Sequence, residues 1–381
     1  MNKKRIVLSG VNMTEGGILT VFREVIRSFT KAEEVEIICL VHDRKLFSGI
    51  PLNDNVAFLE YKNIKRSWLK RLYFEYYQSY FLSKKIKADV WLCLHDMSAL
   101  VHNTQQYVYC HNPTPFYKAS LNDFRLDKKF YIFTKLYRYL YGINIKKNKK
   151  IIVQQHWIAR NFMQWYGTTN MLVSRPEKNT AQTEYARDGQ VRLIDQQLVL
   201  IYPAVPRVFK NFDVIIQALS YLKKSKPDVY HKIKIEFTFD KDMNPVARDV
   251  FKKVTEMKLD RIQFTGFMTR AELDHKYQNV SGLVFPSKLE TWGLPLSEAK
   301  EHQLPVIASD LPYAHETLGS YPKKNFFKAD DYKQLATILS DLLDKQKITM
   351  NEGEQTATYK TNLPEVNSWD ELRNVILNME S

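Results

Sequence analysis

Two glutamates in the stretch "FPSKLETWGLPLSEAKE", residues 285–301, have the types and spacing of a site for a charged, hydroxylated ligand. Between Glu290 and Glu298, Gly293 permits an unusual backbone angle and Pro295 suits the first position of a helix. The N–H groups that follow this glycine would face outward at the positive end of the helix, where a phosphate binds well. The carboxylate of Glu298 could then accept hydrogen bonds from a ribose diol. The structural alternative is a glutamate near a helix start, favoured only by the helix dipole.

The composition indicates a globular chain of two domains without a disulfide framework. Its 381 residues exceed one ordinary core, and 44% of them are hydrophobic and 13% aromatic, which argues against disorder. Cys39, Cys93 and Cys110 lie far apart and form no CxxC or Cys/His pattern, so we expect no disulfide, no zinc site and a reducing compartment. The first residues read as a strand and not as a signal peptide. No uncharged apolar stretch approaches about 18 residues, so no membrane-spanning segment is expected.

The net charge of +14 is concentrated in two aromatic-rich segments. Residues 62–87 hold eight Lys or Arg and one acidic residue, and residues 118–150 hold ten and two. Three interpretations stay open: core-packing helices with a solvated basic face, a patch that binds an anionic membrane surface, or nucleic-acid binding. No zinc-finger spacing and no RNA-recognition motif supports the third interpretation.

Predicted strands alternate with predicted helices in two successive runs. The first run has strands at residues 5–11, 35–41, 88–96, 105–113 and 150–155, and the second has strands at 198–203, 233–239, 262–266, 282–287 and 305–309. Residues 170–196 are largely polar between the runs and predict a linker region. This alternation predicts two α/β units with parallel sheets, whose ligands bind at loops beyond the carboxyl ends of the strands.

The stretch "PSKLETWGLPLSEA" closely resembles the E-x7-E signature of retaining GT-B glycosyltransferases, specifically glycosyltransferase family 4 (group 1, surface-polysaccharide type). The resemblance spans nearly the whole chain and is weaker in the N-terminal part. It implies an α/β GT-B fold with two Rossmann-like, doubly wound domains that face each other across a cleft. The expected parts are an acceptor-binding domain (1–175), a linker region (176–196), a nucleotide-sugar-binding domain (197–362) and a C-terminal helix that crosses back to the N-terminal domain (363–381).

The resemblance assigns the donor site to the second domain. It implies that Glu290 acts in catalysis at the hydroxyls of the donor sugar, that Glu298 holds the ribose and that Lys210 in "LIYPAVPRVFK" holds the diphosphate. Backbone amides near Gly293 and Leu294 join this lysine. The family usually has a second basic residue several positions before the lysine, where this chain has Ala204 or a neighbour. Arg207 comes later and is the candidate replacement.

The resemblance also implies further contacts around the donor and acceptor. The loop "FTGFM" resembles the segment whose backbone meets the nucleobase, and a glycine pair after the first strand resembles the loop over the donor phosphate. A histidine near the end of the fourth predicted strand is the second catalytic candidate, close to the donor sugar, and the "HD" of "LCLHDMSA" lies nearer the acceptor. These residues are Gly266, Phe267 and Met268 for the base, Gly16 and Gly17 for the phosphate, His111 for catalysis, and His95 and Asp96 for the acceptor.

The expected activity is retaining transfer of a hexosyl unit from a nucleotide diphospho-sugar to a lipid-linked glycan in surface polysaccharide assembly. No metal and no cofactor are expected, because the nucleotide-sugar is a substrate and no DxD motif stands at a donor-site position. The expected partners are the donor, the acceptor and an anionic membrane surface at residues 62–87 and 118–150, without nucleic acid. The expected location is the cytoplasmic face of the cell membrane. The alternatives are a non-catalytic sugar- or lipid-binding scaffold on this fold, and a basic nucleic-acid-binding protein.

Overall fold

The structure, a computed structural model, describes residues 3–175, 189–348, 351, 353 and 361–378. It divides into two compact units, each with its own parallel sheet. The first unit takes the described residues within Met1–Pro115, Leu136–Ala181 and Lys360–Ser381, and the second takes those within Phe116–Lys135 and Gln182–Tyr359.

Helices and strands alternate along most of both units. The strands are β1 Lys4–Ser9, β2 Val35–Val41, β3 Val56–Glu60, β4 Val90–Cys93, β5 Gln105–Cys110, β6 Lys150–Val153, β7 Met171–Ser174, β8 Leu198–Tyr202, β9 Ile233–Phe237, β10 Ile262–Phe264, β11 Gly282–Phe285, β12 Val306–Ser309, β13 Lys324–Phe327 and β14 Glu365–Val366. The helices are α1 Gly16–Phe29, α2 Trp68–Tyr73, α3 Ser79–Ile86, α4 Leu121–Leu126, α5 Lys128–Gly142, α6 His156–Tyr166, α7 Phe212–Ser225, α8 Pro227–His231, α9 Pro245–Glu256, α10 Arg270–Tyr277, α11 Leu294–Glu301, α12 Pro312–Leu318, α13 Tyr332–Lys345 and α14 Trp369–Leu377.

The sheet of the first unit has the strand order β14-β7-β6-β5-β4-β1-β2-β3, with parallel pairing throughout. Its central strands are nearly continuous apolar runs, such as "VEIICLV" in β2, because helices cover both faces of a parallel sheet. The chain leaves β1 for β2 on one side and returns to β4 on the other. The loops after β1 and β4 therefore lie at the topological switch point, where ligands bind in such sheets.

The sheet of the second unit has the order β10-β9-β8-β11-β12-β13, again parallel. β8 pairs with β11, with Leu200 opposite Gly282, and the strand order reverses between these two strands. The loops that follow β8 and β11 thus meet at the carboxyl edge of the sheet. The prediction of two Rossmann-like units with parallel sheets is confirmed.

Several boundaries differ from those read from the sequence. The short strands β3, β7, β13 and β14 were not predicted, and β7 lies inside the stretch that was interpreted as the start of a linker region. Of the predicted linker 176–196, residues 176–188 lie outside the described part, and residues 189–196 group with the second unit. Residues 116–135, predicted in the N-terminal domain, also group with the second unit, because Tyr117 and Phe130 pack on the ring of Phe209.

The basic segment 62–87 forms α2, a π-helical turn at Phe74–Gln78 and α3 in direct succession. One of its arginines, Arg71, is only 7% exposed, donates to the carbonyl of His95 and lies over the ring of Trp68. Arg71 therefore cannot contact a membrane surface. This corrects the expectation that all the basic residues of segment 62–87 belong to one membrane-binding patch. Across the described residues, each helix is too short or too polar to cross a bilayer.

Candidate active site

The two loops at the switch point of the second unit bring Lys210 and Glu290 together. Lys210 ends a short 3-10 turn after β8, and its Nζ lies 2.5 Å from Oε1 of Glu290. Their side chains are 14% and 15% exposed, so the ion pair is largely shielded but still reached by solvent. A hydrogen bond from the amide of Lys288 to the carbonyl of Phe209 (2.8 Å) ties the two loops through their backbones.

The loop after Glu290 is held by buried contacts before it enters α11. The indole N–H of Trp292 donates to the hydroxyl of Ser297 at 2.8 Å, and the hydroxyl of Thr317 donates to the carbonyl of Trp292. Gly293 has φ +80°, a left-handed angle that favours glycine, and it precedes the first residue of the helix, Leu294. The loop therefore turns sharply into the amino end of α11.

The amino end of α11 offers few free backbone donors. Pro295 has no N–H, and the amide of Leu296 donates to the carbonyl of Gly293 at 2.8 Å. The amides of Gly293 and Leu294 are therefore the candidate donors to an anion, and the side chain of Leu294 is 48% exposed. These are the two amides that the family pattern assigns to the diphosphate.

Glu298 lies one turn into α11, and α10 contacts both of its carboxylate oxygens. The guanidinium of Arg270 pairs with Oε1, and the phenol of Tyr277 donates to Oε2 at 2.7 Å. Burial and the adjacent carboxylate of Glu298 raise the pKa of Tyr277 well above its ordinary value, so the phenol keeps its proton. The Glu298 side chain is 12% exposed and thus lies at the edge of solvent.

The other residues predicted for the donor site of the second unit lie on one further loop and, for Arg207, on the loop that carries Lys210. Gly266, Phe267 and Met268 follow β10 and lead directly into α10, with Phe267 68% exposed. The carbonyl of Arg207 accepts a hydrogen bond from the amide of Lys210 at 3.0 Å, whereas its guanidinium lies near Asp127 and not at the Lys210–Glu290 pair. Its Nη1 lies 4.0 Å from Oδ2 of Asp127, and it lines a cavity of about 430 Å³ with residues 116–126.

In the first unit, Gly16 and Gly17 begin α1 after the loop that follows β1. Gly16 has φ +64°, and a Cβ added at either glycine would meet no atom within 4 Å. The side chain of Glu15 does not cap the helix and instead pairs with Lys65 at 3.2 Å. The amino end of α1 thus faces open space, as an anion-binding loop requires.

His111 and Asp96 are joined beyond the carboxyl ends of β5 and β4. One oxygen of Asp96 accepts hydrogen bonds from the amides of His111 (2.8 Å) and Asn112 (3.0 Å) and from the hydroxyl of Tyr141 (3.1 Å). The other oxygen lies 3.8 Å from Nε2 of His111. Burial lowers the pKa of His111, and this effect outweighs the opposing influence of Asp96, so the imidazole is neutral at pH 7.

His95 and Asp96 are both interior groups of the first unit. His95 is 1% exposed, and its Nε2 lies 2.5 Å from the fully buried Glu75 on the π-helical turn. Asp96 is 7% exposed and has φ +75°. Because these side chains already contact the protein, their assignment to the acceptor stays a prediction, and for Asp96 a role in holding His111 in place is the simpler interpretation of the geometry.

Sequence reasoning missed Arg270 and Tyr277, the two partners of Glu298. They lie seven residues apart on a predicted helix and therefore on the same face of it. This spacing is the sequence signal that could have identified them as a pair. What they contact depends on the packing of α10 beside α11, which the sequence does not reveal. Among the described residues, no group of three or more His, Cys, Asp or Glu side chains has a metal-binding arrangement.

Comparison with known proteins finds similar sequences among glycosyltransferases. Residues 186–359 match the family described as "Glycosyl transferases group 1". The chain is 24% identical over 331 residues to the O-antigen chain mannosyltransferase RfbU of Salmonella typhimurium, with 84% of each chain covered. It is 27% identical over 164 residues to the GtfA subunit of a Streptococcus parasanguinis peptide N-acetylglucosaminyltransferase, covering 41% of this chain and 30% of that protein.

Solved structures show the same fold over nearly the full length. The lipopolysaccharide outer core galactosyltransferase WaaB, in its apo form, is similar with a TM-score of 0.65 at 14% identity, covering 99% of this chain and 100% of that one. HepE of Anabaena, in complex with UDP and glucose, has a TM-score of 0.57 at 11% identity, covering 99% and 97%. The family match over residues 186–359 and the mannosyltransferase relative indicate a glycosyltransferase, and the likenesses to solved structures show that the chain has the GT-B fold.

Proposed function

We propose that the protein is a retaining, metal-independent hexosyltransferase that uses a nucleotide diphospho-sugar. The observation that carries this proposal is the carboxyl edge of the second sheet. There an ion pair of Lys210 and Glu290, the amino end of α11 and the carboxylate of Glu298 lie on adjoining loops. These groups match the diphosphate, the sugar hydroxyls and the ribose of one donor molecule.

The departing nucleoside diphosphate needs compensation for its developing negative charge. Lys210 and the amides of Gly293 and Leu294 provide a fixed cation and fixed dipoles, which is the usual electrostatic means of stabilising a leaving group. Glu290 is held by Lys210 and accepts hydrogen bonds from sugar hydroxyls, so it positions the sugar. The acceptor then attacks on the face from which the diphosphate leaves, and the anomeric configuration is retained without the paired acid and base of glycoside hydrolases.

For the first unit, we retain the roles that the family pattern gives. Gly16 and Gly17 contact the donor phosphate, and His111 contacts the donor sugar. The neutral state of His111 suits a hydrogen bond to a sugar hydroxyl, since either ring nitrogen can serve as donor or acceptor according to the tautomer.

Turnover of the donor tests this proposal. Wild-type protein should release a nucleoside diphosphate from its nucleotide-sugar in the presence of a membrane lipid extract, and Glu298→Ala and Glu290→Ala should each abolish the release. Lys288→Ala is the matched control, since Lys288 pairs with the exposed Asp330 and belongs to no proposed contact. Nucleotide-sugar binding without turnover under all acceptor conditions would instead support a non-catalytic scaffold, and a gel shift at moderate salt would support nucleic-acid binding.

We further propose that the acceptor is a lipid-linked glycan in surface polysaccharide assembly and that the protein binds the inner face of the membrane. The mannosyltransferase relative, which acts on an O-antigen chain by its name, supports the polysaccharide assignment. The membrane assignment is supported by exposed apolar side chains on α2, the π-helical turn and α3. They recur every fourth residue, with exposures of 77%, 51%, 52% and 53% for Leu69, Tyr73, Tyr77 and Phe81.

This apolar stripe has the composition of a membrane-interface helix. Tyr73 stacks on Tyr77 at 4.9 Å between ring centroids, and Tyr77 contacts Phe81 at 5.0 Å, so the aromatic rings form one continuous strip. Exposed basic residues of the same segment, Arg66, Lys70, Lys84 and Lys85, suit anionic headgroups. The stripe would enter the interface while the basic side chains stay at the surface.

Vesicle sedimentation tests the membrane proposal. Arg66→Ala, Lys70→Ala and Lys84→Ala combined should reduce binding to vesicles that contain phosphatidylglycerol at least about tenfold, at roughly 1 kcal/mol per basic residue. The control removes the same number of exposed lysines from the second unit, Lys252, Lys258 and Lys333. Equal losses from both triple variants would show attraction by net charge alone and would refute a defined patch.

A further inference from the structure

The carboxylate of Glu298 is held by one face of helix α10. Arg270 is the first residue of this helix and Tyr277 is its last, and their spacing of seven places them on the same side. Arg270 pairs with Oε1 of Glu298, while the buried Tyr277 donates to Oε2 at 2.7 Å. The two ends of one helix thus fix both oxygens of one side chain on α11.

A second pair of contacts ties the same helices together. Asp274 lies between the two residues on α10, with Oδ1 3.2 Å from Nε of Arg270 and 3.8 Å from Nε2 of His302. The ring of His302 packs on the ring of Tyr277, with centroids 5.2 Å apart and planes at 32°. Arg270 is therefore held between two carboxylates, and its guanidinium has a defined position although its side chain is 56% exposed.

This geometry leaves room for a ligand on Glu298. A carboxylate has about four lone-pair positions, two on each oxygen. Arg270 and Tyr277 each use one, on different oxygens, so one further position stays open on each oxygen. A vicinal diol has two hydroxyl donors and matches that pair of positions.

The negative charge of Glu298 would repel the donor diphosphate, and Arg270 offsets that charge. The carboxylate lies one turn after the amino end of α11, and the donor diphosphate is proposed to bind at that end. Two anionic groups this close repel each other strongly in a partly shielded site. A guanidinium paired with the carboxylate offsets part of its negative charge and leaves one acceptor position on each oxygen.

We propose that Arg270 is a positioning residue of the donor site, which compensates the charge of Glu298 so that ribose and diphosphate bind side by side. This inference rests on the proposed function. Tyr277 has a different part: it orients the carboxylate through one hydrogen bond and carries no charge. Binding measurements with ligands that carry phosphate and with ligands that lack it therefore distinguish the roles of Arg270 and Tyr277.

Calorimetric titration of paired ligands tests the proposal. The probes are UDP, GDP and dTDP with their nucleosides, and the pair that binds the wild type is then used with each variant. Arg270→Gln should weaken binding of the nucleoside diphosphate about tenfold or more and binding of the nucleoside less than about threefold. The difference should shrink at high salt. Arg270→Lys, which keeps the positive charge, should bind the diphosphate within about threefold of the wild type.

Tyr277→Phe is the matched control, because it removes a hydrogen bond to the same carboxylate without a change in charge. It should weaken the nucleoside and the nucleoside diphosphate by similar factors. In turnover assays, Arg270→Gln should raise the KM for the donor with little change in kcat, since it affects binding and not the reacting bond. A purely structural role would instead lower the thermal midpoint and affect all ligands alike.

Three results would overturn the proposal. Arg270→Gln could bind the nucleoside diphosphate as the wild type does, or more tightly, which would make Arg270 a bystander or a competitor for Glu298. It could also weaken nucleoside and diphosphate equally, which would exclude charge compensation. If the wild type binds none of the nucleoside diphosphates, the proposed function fails together with the inference, whereas normal wild-type binding with an unaffected Arg270→Gln variant refutes the inference alone.

Discussion

The Lys210–Glu290 ion pair makes a quantitative prediction about the stability of the second unit. Each side chain is about one-seventh exposed, and the atoms Nζ and Oε1 are 2.5 Å apart. Removing one partner leaves the other charge without compensation in a shielded place, which costs about 3–5 kcal/mol for fully buried pairs. Since solvent still reaches this pair, we expect Lys210→Met and Glu290→Gln each to cost about 2–3 kcal/mol, below the range for fully buried pairs.

The double variant should recover part of that loss. Lys210→Met combined with Glu290→Gln leaves no unpaired charge, so its loss should be smaller than the sum of the two single losses by about 1–3 kcal/mol. A loss of about 2–3 kcal/mol corresponds to a fall of roughly 4–12 °C in the Tm of a unit of about 150–250 residues. Differential scanning calorimetry of the full chain, with assignment of the transition that the variants move, measures these shifts.

The neighbouring Lys288 provides the control for this cycle. It pairs with Asp330, whose side chain is 85% exposed, so Lys288→Met should cost at most about 1 kcal/mol. Additive losses for Lys210→Met and Glu290→Gln would show that the two groups are not coupled in solution. A rise in Tm for either single variant would show that the pair is a strained arrangement kept for ligand binding, and the present reasoning about its stability would be wrong.

The remaining predictions concern one glycine variant, one histidine variant and a chelator. Gly17→Ala should leave the free energy of unfolding unchanged or raise it by up to about 1 kcal/mol, because a Cβ there meets no atom within 4 Å. The same variant should lower donor turnover at least about tenfold, because the proposed diphosphate lies against this glycine. Burial lowers the pKa of His111 in the folded state, so the imidazole of the unfolded chain is protonated first as the pH falls. In chemical denaturation experiments, the wild type should therefore lose stability relative to His111→Gln as the pH falls through about 6.5. Donor turnover should persist in excess EDTA, and its loss with recovery on addition of Mg²⁺ or Mn²⁺ would contradict metal independence.

The features that sequence predicts best here are those with local causes. β2 has the bounds that its apolar run indicates, and the turn from β11 into α11 follows from Gly293 and Pro295. The meeting of the loops after β8 and β11 follows from the rule that ligands bind at a switch point. Local pattern therefore predicted the strand–loop–helix elements that bring Lys210 and Glu290 together, while the donor-binding roles of these residues stay predictions.

The features that sequence missed depend on packing between distant segments. β7 has four residues, all buried, in a stretch whose following residues are polar, so its signal is too short to stand out. Residues 116–135 belong with the second unit because their aromatic rings meet Phe209, about eighty to ninety residues further along the chain. The contact of Arg270 with Glu298 likewise requires α10 and α11 to be neighbours, which no local pattern specifies.

Arg71 shows the same limit for charge patterns. Its place in a run of basic residues suggested a surface role, yet it is the buried residue of α2 and donates a hydrogen bond to the carbonyl of His95. The π-helical turn next to it buries Glu75, which supplies a nearby negative charge. A count of charges along a segment therefore cannot separate surface cations from those that a buried network requires.

Thermal stabilisation by nucleoside diphosphates tests the central claim most directly. One member of a panel of UDP, GDP, dTDP and ADP should stabilise the wild type, by about 2.7 kcal/mol at a concentration near one hundred times its Kd. The same ligand should give no shift with Glu298→Ala, whose own fold is checked by its unliganded Tm. A wild type that no nucleoside diphosphate stabilises, or a Glu298→Ala variant with the full shift, would contradict a donor site at the loop between β11 and α11.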